Sequence, residues 1–200
     1  MDKRNIIILL DNGHGIEKEG KRSPDGRLRE YKYCRSMAAA IEAQLLARGC
    51  NARRIVEEET DVPLTERCRR VNDVCHVHGK SNVLLVSLHC NAAGDGSRWM
   101  AARGWQAHVS LNASRDSKRL ARCLIEAAEL FGQKVRKYSP AEPWWPQDLA
   151  MCRDTLCPAV LTENLFQDNR EDVEYMLSDE GRQALVDLHV KGITDYIDSL

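Results

Sequence analysis

The segment Asn5 to Leu10 is an unbroken, β-branched apolar run that stops abruptly at Asp11-Asn12-Gly13-His14-Gly15. An apolar run that is continuous rather than alternating reads as a strand covered on both faces. Asn82 to Leu88 repeats the pattern through Val83-Leu84-Leu85-Val86, and Gly104 to Leu111 and Pro158 to Thr162 are further strand candidates. A proline at the head of the last suits a strand start. Four strands is therefore the minimum. Between the strands, Tyr33, Met37, Ile41 and Leu45 recur at i, i+4 in an Ala-rich stretch closed by Gly49, which predicts a helix over 29–48. Pro63-Leu64-Thr65-Glu66 opens a second helix reaching 78, Ser117 to Phe131 forms a third, and Arg182 to Leu200 forms the last. Strands that alternate with helices predict an α/β fold: a mainly parallel, mixed and twisted sheet with helices on both faces, in a single layered domain.

The 200 residues suit one domain, 1–200, because no repeat, low-complexity tract or linker divides them. Tyr138 to Pro158, rich in Pro and Trp, reads as a long surface loop. With 29 Lys plus Arg against 30 Asp plus Glu, the chain has no basic field to attract nucleic acid. The apolar run after Met1-Asp2-Lys3-Arg4 is too short for a signal core, and nowhere do about 18 apolar residues run together as a membrane span requires. The reading is a protein cytoplasmic as synthesised, without a membrane span. Eight cysteines show no C-x-x-C pair and no zinc-finger spacing, so they are expected to pack mostly as free, small hydrophobes.

Open parallel sheets bind ligands beyond the carboxyl ends of their strands, so residues just after the strands hold the candidate chemistry. His14 lies in the glycine turn after the first strand, His89 at the end of the second, and Glu163 directly after Ala159-Val160-Leu161-Thr162. Glu30 extends the apolar stripe of the first helix by one turn toward its N-terminus. Each has a plainer alternative: a hydrogen-bonded turn histidine, an acid in a first helical turn, a solvated strand-end acid. Two histidines and a carboxylate are nonetheless the ligand set of a catalytic zinc, with a further carboxylate nearby able to serve as base.

Taken together these segments resemble the zinc-dependent N-acetylmuramoyl-L-alanine amidases of the amidase-3 type, over nearly the whole chain. Asp11-Asn12-Gly13-His14-Gly15 resembles that family's Asp-Pro-Gly-His-Gly turn, and Ser87-Leu88-His89-Cys90-Asn91-Ala92 its Ser-Ile-His-Ala-Asn-Ala. Thr60 to Arg67, followed by Asn72, resembles its Asp-x-x-x-x-Leu-x-x-Arg-x-x-x-Ala-Asn segment. Pro158 to Glu163 resembles the strand that ends in the catalytic glutamate. The resemblance implies one catalytic Zn2+ on His14, Glu30 and His89, Glu163 as proton carrier, and peptidoglycan as substrate, cut between N-acetylmuramic acid and L-alanine. Asn12, Ile16 and Asn164-Leu165 depart from the family pattern and are expected to alter the shape of the groove rather than the chemistry. Cys90 neighbours His89 on an extended strand, so the two point to opposite faces and cannot easily share a metal.

Asn91, Trp144 and Trp145 are candidate substrate contacts, as is Trp99, since aromatic faces suit amphipathic ligands. The competing expectation for the tryptophans is that they pack the loop onto the domain. Arg67, Arg69 and Arg70 are candidates to meet carboxylates of stem peptides; the competing expectation is that Arg67, at the family's arginine position inside a helix, is structural and that Arg69 and Arg70 form a solvated face. The expected organisation is a bare catalytic domain with no separate wall-binding domain, favoured as a monomer. It would act as a lysin that reaches the wall after release or by non-standard export. A non-catalytic zinc-binding regulator, or a zinc peptidase that cuts another amide of the stem peptide, remains an open alternative.

Overall fold

The computed structural model describes residues 6–200, so Asn5 and the basic start Met1 to Arg4 lie outside the described residues. β1 (Ile7–Asn12), β2 (Asn51–Arg54), β3 (Val83–Asn91), β4 (Gln106–Val109), β5 (Trp145–Pro146) and β6 (Ala159–Phe166) form one six-stranded sheet in the order β2-β1-β3-β6-β4-β5. β2, β1, β3 and β6 run parallel, while β4 pairs antiparallel with β6 and parallel with β5. The sheet is thus mostly parallel but mixed, as the alternation of elements predicts.

Strand periodicity sorts the core into two layers. Ile8, Leu10, Leu84, Val86, Leu88 and Val160 enter the larger cluster with the apolar stripes of α1 (Glu30–Ala47), α3 (Arg115–Leu130) and α6 (Asp179–Asp198). Ile7, Leu9, Val83, Leu85 and Ala159 enter the smaller one with α2 (Leu64–His78) and the short α4 (Ala150–Arg153). Leu9, Leu10 and Leu85 are fully buried, and each such side chain contributes about 1.5–3 kcal/mol on leaving water. A helix lies on either face of both central strands, which is why their sequences are apolar without alternation.

Several boundaries differ from expectation. β2 is a polar, four-residue edge strand with only Ala52 buried, and β5 has two residues, so neither carries an apolar pattern. β6 continues past Thr162 to Phe166, which places Glu163 inside the strand. The region 138–158 is not a bare loop, because β5 and α4 fold within it. α5 (Arg170–Leu177) precedes the last helix, which begins at Asp179; the Asn169 side chain caps α5 and that of Ser178 caps α6. Six of the eight cysteines are buried.

His189 of α6 is fully buried, with Nδ1 2.7 Å from the Leu185 carbonyl and Nε2 3.0 Å from Thr162 Oγ1. Burial lowers it to about 4, although the Leu185 carbonyl favours the charged form. In the unfolded chain an imidazole protonates near pH 6.5, so between about 6.5 and 4 the unfolded state binds more protons. Stability is therefore complete above this window and falls by about 3 kcal/mol across it for this one group. Urea titrations at pH 7 and pH 4.5 check this: His189→Gln is expected to flatten the dependence, and an unchanged slope would refute it.

Candidate metal centre and active site

Asp11, Ser87, His89 and Glu163 follow Leu9, Leu85 and Leu161 by strand periodicity, so they share the α2 face at the carboxyl ends of the central strands. His89 and Glu163 are register partners across β3 and β6. Glu30, the first residue of α1, reaches this edge from the opposite layer. His14 Nε2 lies 3.5 Å from Glu30 Oε1, and His89 Nδ1 lies 3.1 Å from the same oxygen. One ligand atom from each of the three residues falls within 4.8 Å of the others. The two rings meet edge to face, with centroids 5.1 Å apart.

The turn bearing His14 is held tightly. His14 has a backbone φ of 58°, a left-handed conformation that a side chain makes unfavourable. Gly13 is required because a Cβ there would collide with the His89 ring. Its N–H donates to the Leu88 carbonyl at 2.9 Å, which ties the turn to β3. From α2 the buried Arg67 donates to Asp11 Oδ1 (2.8 Å), to the Asn12 carbonyl (2.6 Å) and to the His14 carbonyl (3.2 Å). Ser87 Oγ donates to the other oxygen of Asp11. Arg67 is thus the clamp on the turn, the structural one of its two expected roles.

Electrostatics suit a cation at this edge. Burial lowers His14 to about 4 against the pull of Glu30, leaving a neutral imidazole with a free lone pair. Burial alone would raise Glu30, but the hydrogen bond and charge of His89, the charge of His14 and the Cys90 N–H bring it below the usual value. Burial alone would depress His89, yet its hydrogen bond to Glu30 lifts it above normal. Two imidazoles and an anionic carboxylate that converge on one point fit a divalent zinc ion, whose usual donors these are. Glu163 differs: burial raises it to about 7, with His89 and Lys21 pulling it down and Glu30 pushing it up. Its Oε2 is buried without a hydrogen-bond partner, so this carboxylate is free to exchange a proton.

The other candidates separate. Cys90 points into the opposite layer, with Sγ 3.9 Å from Cys34 Sγ. Trp144 corrects the expectation of a substrate contact: it is buried in the core against α3, beneath Arg122 at 5.2 Å and Lys118 at 6.0 Å, so no ring face is left for a ligand. Trp145 on the edge strand β5 is half-buried; its Nε1 donates to the Arg136 carbonyl, and its ring lies 6.5 Å from that of His108. Trp99 packs beneath the Arg170 guanidinium at 4.7 Å. Asn91 Nδ2 donates to Gln106 Oε1, while Asn91 Oδ1 accepts from the Ala92 N–H at 2.9 Å.

Three of the four departures prove to be core positions rather than groove positions. Asn12, Asn164 and Leu165 are buried, whereas Ile16 is exposed. Asn164 accepts from Trp105 Nε1 at 2.9 Å and donates to the His89 carbonyl at 3.1 Å, tying β6 to β3 beside the histidine. Leu165 has a φ of 68°, a conformation natural to the glycine that the family carries there. Gln106 and Gln167 were not visible from sequence. Gln106 gains its place as the antiparallel register partner of Glu163, and Gln167 by lying against Glu30; no local motif encodes either contact.

A mostly parallel α/β sheet thus carries a two-histidine, one-carboxylate cluster and a desolvated glutamate at its carboxyl edge, the set of side chains that metal-assisted hydrolysis uses. The sequence profile of the Amidase_3 family, N-acetylmuramoyl-L-alanine amidase, matches residues 8–195, and the chain belongs to this family. An endolysin of Bacillus phage SPP1 is 26% identical over 193 residues, covering 96% of this chain and 66% of that relative, so the chain spans just under two thirds of its length. The N-acetylmuramyl-L-alanine amidase Ami1 of Mycobacterium smegmatis superposes with a TM-score of 0.82 at 20% identity, covering 98% of each chain. The N-acetylmuramoyl-L-alanine amidase of Clostridium difficile 630 gives 0.82 at 21% identity, with 97% of each covered. At these identities the structures attest the shared fold.

Proposed function

We propose that the protein is a zinc-dependent amidase that cleaves the bond between N-acetylmuramic acid and L-alanine in peptidoglycan. The observation that carries this reading is the convergence of His14 Nε2 and His89 Nδ1 on Glu30 Oε1, with the unpaired Glu163 carboxylate on the neighbouring strand. His14, Glu30 and His89 would hold the Zn2+ ion, which when bound would supply Lewis acidity toward a water and the scissile carbonyl. Glu163, poised near 7, accepts the proton of the attacking water and returns it to the leaving nitrogen, since an amine leaves poorly unless protonated.

The neighbouring amides give the substrate an orienting contact. Because Asn91 Oδ1 is held by the Ala92 N–H, its Nδ2 faces Gln106, and Gln106 must answer with Oε1. The Gln106 Nε2 donors are left for a substrate carbonyl beside Glu163, so Asn91 acts through Gln106. Trp145, which pairs with His108 two residues along β4 from Gln106, is the aromatic candidate on that side of the sheet. The family and the phage endolysin relative support a lysin whose catalytic domain works on the wall. Among the described residues no helix is long and apolar enough to cross a membrane.

The test is the amino group released from purified peptidoglycan with and without a chelator. New N-terminal alanine that disappears with chelator, returns with added zinc and brings no new reducing sugar is expected. Release of another N-terminus would move the scissile bond to the stem peptide, and zinc binding without any release would favour a regulator.

A further inference from the structure

The Glu30 carboxylate sits 1% exposed at the head of α1, where rotation about its last bond would swing Oε1 away from both histidines. Two contacts oppose that rotation. The Cys90 N–H donates to Oε1 at 3.0 Å, and Gln167 Nε2 donates to Oε2, also at 3.0 Å. Gln167 is itself 1% exposed and fixed at its backbone, its N–H donating to the Asn91 carbonyl at 2.8 Å. The segment around it is pinned as well: the Phe166 N–H donates to Asp172, and Asp168 Oδ2 accepts from the N–H groups of Ala93 and Gly94. A rigid platform therefore presents one amide to one oxygen of the carboxylate.

A carboxylate only accepts, so Gln167 has to turn its NH2 toward Glu30. Its own Oε1 is then buried without a partner. Such an orphaned acceptor costs about 1–3 kcal/mol; an apolar side chain of the same length would relieve that cost but leave Glu30 Oε2 without its donor. The arrangement therefore gives Glu30 Oε2 a fixed donor while leaving the acceptor of the same amide unpaired.

We propose that Gln167 is a positioning residue for the metal site, one that locks Glu30 with Oε1 facing His14 and His89. The inference rests on the zinc reading above. It acts through Glu30 and needs no contact with substrate. Groups that orient metal ligands typically change metal affinity roughly 10- to 100-fold when removed.

The experiment compares wild type with Gln167→Met, which keeps the length and removes the donor. Gln167→Leu serves as a second apolar variant should the first fold poorly. Zinc affinity is measured by competition with a chromophoric chelator, the visible spectrum by cobalt substitution, and the metal-free melting temperature separately. The expected result is zinc affinity weakened by about 10- to 100-fold, an altered cobalt spectrum, and a metal-free melting temperature close to that of wild type, since the relieved acceptor offsets the lost donor. The last two readouts separate positioning from support of the fold. Zinc affinity within twofold of wild type, with or without a lower melting temperature, would overturn the proposal. A wild type that binds no zinc would overturn it together with the metal reading, and that outcome is visible before any variant is made.

Discussion

Replacing Glu163 by glutamine is expected to lower kcat on peptidoglycan by about 10^2- to 10^4-fold, the range typical of losing a general acid–base group. The side chain keeps its shape but can no longer take a proton from water or return one to the leaving nitrogen. Its Oε2 has no hydrogen-bond partner, so the substitution breaks no bond made by that atom. Zinc affinity is expected to stay within a few-fold of wild type, because His14, Glu30 and His89 hold one another without it. The melting temperature is not expected to fall, since the variant removes a carboxyl group that burial already pushes up to about 7. Steady-state kinetics with a soluble muramoyl peptide, alongside calorimetry, check both halves. Activity within tenfold of wild type would remove Glu163 from the proton path.

Arg67→Met is expected to give the largest loss of stability of any single change considered, about 3–5 kcal/mol in urea unfolding. The Arg67–Asp11 pair is 2% and 1% exposed, so deleting the cation strands a buried carboxylate next to Ser87. The same change frees the Asn12 and His14 carbonyls and releases a turn whose left-handed φ is held against its preference. Lysine would not substitute, because a single ammonium cannot span acceptors on both sides of the fork. Adding Asp11→Asn to Arg67→Met is expected to recover part of the loss. A double variant no more stable than the single one would show that the charge pair is not the source.

The strongest readable signals were those with a physical need behind them. β1 and β3 are buried on both faces and must be apolar throughout, so they and the residues at their ends could be placed from composition alone. β2 and β5 lie at the edges of the sheet, one polar and one only two residues long, and their pairing is imposed by neighbours rather than by their own side chains. His14 and His89 could be located because each follows an apolar run. Glu30 needed the family resemblance, since an acid in a first helical turn has an ordinary explanation. The partnership of Gln106 with Glu163 depends on an antiparallel register, and that of Gln167 with Glu30 on a return of the chain after β6; both are tertiary facts. Trp144 went the other way, because a Pro- and Trp-rich stretch looks like surface until α3 is seen to cover it.

β6 is the last strand in the chain, yet it sits in the interior of the sheet between β3 and β4. While the chain is being made, β4 and β5 therefore have no edge to join until residues 159–166 arrive and bridge them to the rest. Glu163, the proposed proton carrier, enters with that same strand. Assembly thus depends on contacts between distant parts of the chain, which slows folding relative to a local design. A partly synthesised molecule that ends before residue 159 holds His14, Glu30 and His89 but not Glu163, so on the proposed mechanism no amide is hydrolysed before β6 is in place.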